Sequence, residues 1–376
     1  MGPNSAPDFS RNVHCLLGLP FDIIGLASAV ASVEQAVRDR KPLFISTPNL
    51  NFLIASQTDT NFRDSVIHSE LSLADGMPVV WLARILGIPI SERVAGSTLF
   101  EALRSRADSP QTRLVSVYFF GGPDGVAKAA GNRLNQTSAA SMRCVGTQSP
   151  GFGSILDMSD SATISHINES GADFVVVSLG ARKGQAWIEH NRASLQAPVI
   201  SHLGAVVNMV AGAIERAPVW MQRTGLEWLW RIKEEPTLWR RYFDDGIALL
   251  RLLFTRILPL AWINRRFSPS ASQIRAAHLT LHESADEVQI TLSGPWVAGN
   301  LERLREAFER AAARQQAVKL DLSALTFADS AFFGLLLLLH GHQHRAGLPL
   351  YIVSASCIAR QLAYFAGVSY LLGAEK

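Results

Sequence analysis

A chain of 376 residues, 48% of them apolar, exceeds the ~100–200 residues usual for one domain and can fill two cores. A net charge of +3 is too small to imply a nucleic-acid partner, and none is expected. Cys15, Cys144 and Cys357 are far apart and lack metal-ligand spacing, so they read as reduced core residues of a cytoplasmic protein rather than a disulfide framework.

Residues 1–12 are polar and lack the apolar stretch of a signal peptide, which predicts a disordered leader. Residues 13–215 alternate apolar runs with amphipathic segments. Leu43-Phe44-Ile45, Val115 to Phe120 and Phe174 to Leu179 are each followed by turn chemistry, the pattern of an α/β fold with a doubly wound, mostly parallel sheet. Sites in such sheets lie at the carboxyl ends of strands, where Thr47-Pro48-Asn49, Gly121 to Gly125 and Gly180-Ala181-Arg182-Lys183 fall on one rim. Asp75, in Leu73-Ala74-Asp75-Gly76, follows Thr47 by 28 residues. A carboxylate before glycine at the mouth of a sheet can act as a general base; its plain reading is a turn or helix-capping residue. Arg84 and Arg93 add cations where an anionic leaving group would need them. The amides of Gly121 to Gly125 could hold a diphosphate or ribose, or the glycines could simply make the turn. They do not match Gly-x-Gly-x-x-Gly, so a redox cofactor is disfavoured and no cofactor is expected.

Residues 216–266 form a basic, aromatic appendage: Arg216-Ala217-Pro218, Leu226 to Arg231, and Trp239-Arg240-Arg241-Tyr242. Tryptophans on a helical hairpin pack on a core, while arginines beside indoles also suit a pyrophosphate at a membrane interface. The apolar run Ile247 to Ile263 is broken by Arg251, Arg256 and Pro259, and is expected to lie on a membrane rather than cross it. Residues 267–274, rich in serine, read as a linker. In residues 275–376, Val288 to Leu292 alternates as a half-buried strand and Val318 to Leu322 reads as another. Leu301, Leu304, Phe308 and Ala311 recur at helical spacing, and Asp329-Ser330 opens an apolar helix. His340 and His344 share a helix face without an acid or cysteine to complete a ligand set. A solvated helix end is expected there, and no metal site.

Thr47 and Asn49, Asp75-Gly76, Arg84, Arg93 with Gly96, the Gly121-Gly122 turn, and Arg216-Ala217-Pro218 with Gly225-Leu226-Glu227-Trp228 occur in an order and spacing that resembles the WecG/TagA/CpsF glycosyltransferases over roughly residues 13–245. The resemblance implies a Rossmann-like domain that adds a sugar to a polyprenyl-linked saccharide, with Asp75 as base beside Thr47 and Asn49. Donor contacts would fall on Arg84, Arg93, Gly121, Gly122, Gly180 and Gln185, and acceptor pyrophosphate contacts on Arg216, Arg231, Arg240 and Arg241. Arg182-Lys183-Gly184-Gln185 departs from the family's Pro-Lys-Gln-Glu, so its glutamine is either shifted to Gln185 or absent. Asn51, Thr98 and Asn208 stand where acids are common, which points to a different donor sugar. No Asp-x-Asp triplet occurs, so the resemblance implies metal-independent, inverting transfer.

Residues 275–372 resemble a STAS domain, the module of anti-sigma-factor antagonists. The position phosphorylated in those proteins is Ala331 here; Ser330, one residue earlier, is the remaining candidate phosphosite, with N-capping its plainer role. A docking module for a protein partner or a second copy is expected. Together these readings describe a bacterial enzyme, peripheral on the cytoplasmic face of the membrane. It would move a hexose from a UDP-sugar to a polyprenyl-diphosphate-linked saccharide during exopolysaccharide or surface-glycan assembly. The rivals are a non-catalytic scaffold and a STAS-driven regulator.

Overall fold

The computed structural model describes residues 8–106, 113–136 and 141–373. Among the described residues the strands are β1 (Val13–Leu16), β2 (Leu19–Asp22), β3 (Leu43–Ser46), β4 (Leu71–Ser72), β5 (Val115–Gly121), β6 (Met142–Gln148), β7 (Phe174–Ser178), β8 (Val199–His202), β9 (His278–Glu283), β10 (Glu287–Trp296), β11 (Ala317–Ala328) and β12 (Leu350–Ala355). Six of them form a parallel sheet in the order β4-β3-β8-β7-β5-β6. Its strands read as unbroken apolar runs because successive side chains point to opposite faces and both faces are covered. Val117, Phe119 and Val176 enter one core layer; Tyr118, Phe120, Val175 and Val177 enter the other, with Trp187 stacked on Phe120. This is the doubly wound, Rossmann-like domain expected.

The small C-terminal α/β domain is also as expected, with strand order β12-β11-β10-β9 and only β9 antiparallel. The serine-rich stretch before it is not wholly irregular. The chain stays helical through Arg266, and Ser270 with Gln273 forms a capping box that starts a short Ala271–Arg275 helix.

The predicted disordered leader needs correction over residues 8–12; residues 1–7 lie outside the described residues. Phe9 is buried edge-on against Phe308, and Arg11 pairs with Asp22 at 2.7 Å. One aromatic ring on the Glu302–Arg314 helix of the C-terminal domain and one buried ion pair on the β1–β2 hairpin suffice to seat so short a segment.

The appendage ends in a helix of 31 residues, Pro236–Arg266, π-helical at Leu253–Ile257, and Pro259 falls in the first turn after the π segment. By length and composition it could cross a membrane. One face, however, is docked on protein: Ile257, Leu260, Ala261 and Ile263 are buried. The other carries Trp239, Phe243, Ile247, Leu250, Phe254, Leu258 and Trp262, all exposed. Recurring every three or four residues, they make a continuous apolar stripe along the helix.

Candidate active site

The ends of β3 and β4 meet because the Asp75 amide donates to the Pro48 carbonyl at 3.0 Å. Gly76 follows with φ 99, a left-handed conformation that favours glycine, and turns the chain into the Met77–Leu86 helix. That helix has no side-chain cap, so the Asp75 carboxylate is not spent on its own helix. Asn49 is spent in that way: it caps the Leu50–Ala55 helix by accepting from Phe52 N–H at 3.2 Å, with its Cβ beside Gly76. Thr47, two residues before Asn49 and directly after β3, is buried against Gly96.

Three groups converge on Asp75. Gly96, the first residue of the Gly96–Arg104 helix, turns its N–H toward the carboxylate and favours its charged form. Arg93 Nε lies 3.9 Å from Asp75 Oδ1. Arg93 Nη1 in turn holds Glu227 at 2.6 Å, and Glu227 opens the Glu227–Glu234 helix of the appendage. Burial raises the Asp75 pKa to about 6, opposed by Arg93, reinforced by the Glu227 charge, and opposed again by the Gly96 N–H and by Arg231. The side chain still keeps 28% of its surface open, enough for an incoming hydroxyl to reach it. A carboxylate with a pKa near 6, open and flanked by guanidinium groups, has the proton affinity and setting of a general base.

Arg231, from the appendage and expected as an acceptor pyrophosphate contact, lies close enough to Asp75 for its charge to favour the carboxylate, and it leans on Glu235 at 4.0 Å. Arg216 reaches the same neighbourhood through Thr98: Nη2 donates to Thr98 Oγ1 at 2.7 Å, on the helix that Gly96 begins. Other candidates lie elsewhere. Gly121 and Gly122 (φ 103 and 83) make a tight crossing against Ser178, with the Gly122 N–H on the Ser178 carbonyl at 2.7 Å. Gly180 caps the Ala181–Asn191 helix on the same stretch of rim. Arg84 is exposed on the Met77–Leu86 helix, one turn from Trp81. Arg240 and Arg241 are exposed and lie over the rings of Trp239 and Tyr242. Gln185 is buried and donates to Ser46 Oγ at 2.9 Å, so its amide braces the strand end beneath Thr47 rather than facing the cleft.

Sequence reasoning missed Glu227 as the partner of Arg93. The signal was present, since Glu227 sits within the Gly225-Leu226-Glu227-Trp228 motif, but only the folded chain joins residues 134 positions apart. The Asn51 departure also finds a partner: its amide nitrogen contacts both oxygens of buried Asp245 at 3.3 Å, tying the long helix to the Leu50–Ala55 helix. The expected solvated end of the histidine helix is corrected in part: His344 is exposed, but the residues before it are covered. His342 is buried, and burial lowers the His340 pKa to about 4; Asp64 opposes the shift, and His344, His68 and Arg63 add to it. His344 stacks on His68 of the transferase domain, Nδ1 to Nε2 at 3.1 Å.

Residues 14–261 match the profile of the "Glycosyl transferase WecG/TagA/CpsF family", and residues 279–373 that of the "Mlab, STAS domain". A relative in Bacillus spizizenii (strain W23), an N-acetylglucosaminyldiphosphoundecaprenol N-acetyl-beta-D-mannosaminyltransferase, is 28% identical over 219 residues, 57% of this chain and 81% of its own. A protein of the same name in Bacillus subtilis (strain 168) is 26% identical over 225 residues, 59% of this chain and 84% of its own. With two-thirds of its length matched and the motif residues Thr47, Asp75 and Arg93 drawn to one corner, the chain belongs to the WecG/TagA/CpsF glycosyltransferase family and carries a C-terminal STAS domain.

Proposed function

We propose that this protein transfers a hexose-class sugar, N-acetylhexosamines included, from a UDP-sugar to a polyprenyl-diphosphate-linked saccharide, with inversion and without a metal. The observation that carries this reading is Asp75, held open between Gly96 N–H and Arg93 with its pKa raised to about 6. In this mechanism the acceptor hydroxyl loses its proton to the Asp75 carboxylate as its oxygen bonds to the anomeric carbon. The bond from that carbon to the diphosphate oxygen breaks, and the nucleoside diphosphate leaves with the electron pair. Arg93, and Arg231 from the appendage, offset the charge that develops on the leaving group.

The names of the two Bacillus relatives support a lipid-diphosphate acceptor and widen the donor from plain hexoses to N-acetylmannosamine-like sugars. The exposed stripe from Trp239 to Trp262, with Trp81, Trp220 and Trp228 also exposed, supports peripheral attachment to a membrane, on the cytoplasmic face in this proposal, where a UDP-sugar would be met. A helix apolar on both sides, with one side already occupied by protein, buries the other most readily in a lipid interface.

The test is turnover with a panel of UDP-sugars and a lipid-diphosphate disaccharide precursor, comparing the parent with Asp75→Asn. Transfer by the parent and its loss in the variant are expected. A parent that binds acceptor-bearing vesicles yet turns over none of the panel would instead mark a scaffold.

A further inference from the structure

The Ser330–Arg345 helix is buried on nearly every side, from Ala331 through Leu339 and again at Gly341 to Gln343. A helix apolar all round needs cover on two faces. Its own domain supplies one; the β1–β2 hairpin and the Thr60–Ile67 helix of the transferase domain supply the other. The contact is backbone-close. A Cβ on Gly334 would stand 2.2 Å from the Val13 carbonyl oxygen, one on Gly341 2.9 Å from Ile67, and one on Gly18 2.6 Å from the Gly367 carbonyl oxygen. Polar links close the seam: His14 Nδ1 to Ser330 Oγ at 2.8 Å, Arg345 to Glu70 at 2.8 Å, and Arg305 to the Arg11 carbonyl at 2.9 Å. The helix start that a kinase or docking partner would have to reach is turned onto β1.

A second contact lies on another side of the module. Its Cys357–Ala366 helix packs on the long appendage helix at the π-helical turn. Arg256 Nη1 donates to the Tyr364 carbonyl at 2.9 Å, and its guanidinium lies 4.8 Å from the Tyr364 ring centre. That is how the one cation inside this turn is accommodated. Ile257, Leu260 and Ile263 share a core with Leu362, Ala363 and Ala366 of the module and with Val79, Leu82 and Ala83 of the Met77–Leu86 helix.

From these two contacts we propose that the STAS domain is an intramolecular brace: its partner is this chain's own transferase domain, and its task is to fix the long appendage helix against the helix that begins beside Asp75. A π turn marks a local departure from regular helical bonding, and such turns are frequent where a helix must fit a functional neighbour. The proposal uses the membrane reading only for the outer stripe of that helix.

The test is amide hydrogen exchange on the full chain without substrate, so an absence of turnover leaves it standing. Gly334→Leu is expected to accelerate exchange in residues 13–22 and also in 253–263 by about tenfold or more, with β5 and β7 unchanged. Accelerated exchange in 13–22 with parental protection in 253–263 would overturn the brace. Should Gly334→Leu fail to fold, Arg256→Met decides: the brace requires faster exchange in 253–263 with 13–22 unchanged, and unaltered protection in 253–263 refutes it.

Discussion

Asp75 and Asp329 each stand close behind a strand, before a small residue and at the start of an apolar helix, yet their carboxylates have opposite employments. Asp329 Oδ1 accepts from the Ala331 and Phe332 amides at 2.9 and 3.0 Å, and Oδ2 from Ala298 N–H at 2.8 Å. Its oxygens are used up by backbone donors. Asp75 leaves its own helix to Gly76, lies near the Gly96 amide, and otherwise faces Arg93 and open space. What separates a cap from the base proposed for Asp75 is therefore where the nearest N–H groups point, which the two dipeptides Asp-Gly and Asp-Ser do not announce.

The contrast breaks most visibly in turnover. Asp75→Asn should lower sugar transfer by about 10²- to 10⁴-fold, measured by release of nucleoside diphosphate, while Asp329→Ala should leave it within a few-fold of the parent. Stability should move the other way. Because the Asp75 pKa is raised in the folded state, its ionisation opposes folding above the unfolded pKa. Denaturant titration should show Asp75→Asn more stable by about 1–3 kcal/mol at pH 7.5, the gain fading below about pH 4, where both states carry the proton. Asp329→Ala strips three amides of their acceptor and should cost about 1–2 kcal/mol in the same experiment. The smallest effect sharpens the comparison. The acidic limb of kcat/KM should lie near pH 6 in the parent, and Glu227→Gln, by removing a negative charge that raises the Asp75 pKa, should move it down by under about one pH unit. An unmoved limb would separate Glu227 from the site.

The sheet was legible because its strands are buried on both faces and so read as plain apolar runs between turns. The corner at Asp75 was legible in part because Thr47 and Asp75 sit just behind strands, whose ends topology brings together, whereas Arg93, in the loop between two helices, came only with the family resemblance. Glu227 was not, since its pairing with Arg93 is tertiary and a glutamate before tryptophan carries no local mark of it. Gln185 misled in the opposite direction: the resemblance offered it as the place of a shifted family glutamine, but the helix turns it inward onto Ser46. His340 and His342 show the same limit, for a polar helix end reads as solvated unless another domain is known to cover it. Even Leu335 to Leu339 stated that the helix would be buried without saying against what.

Two meshed glycine turns, Gly18 in the hairpin and Gly367 after the last long helix, leave no room for a side chain between the domains. The apolar cluster continues through that contact, from Phe21 and Leu53 on one side to Leu337 and Leu362 on the other. Heat should therefore meet one cooperative body rather than two: a single calorimetric endotherm, in which the smaller domain has no melting point of its own to lend or to lose.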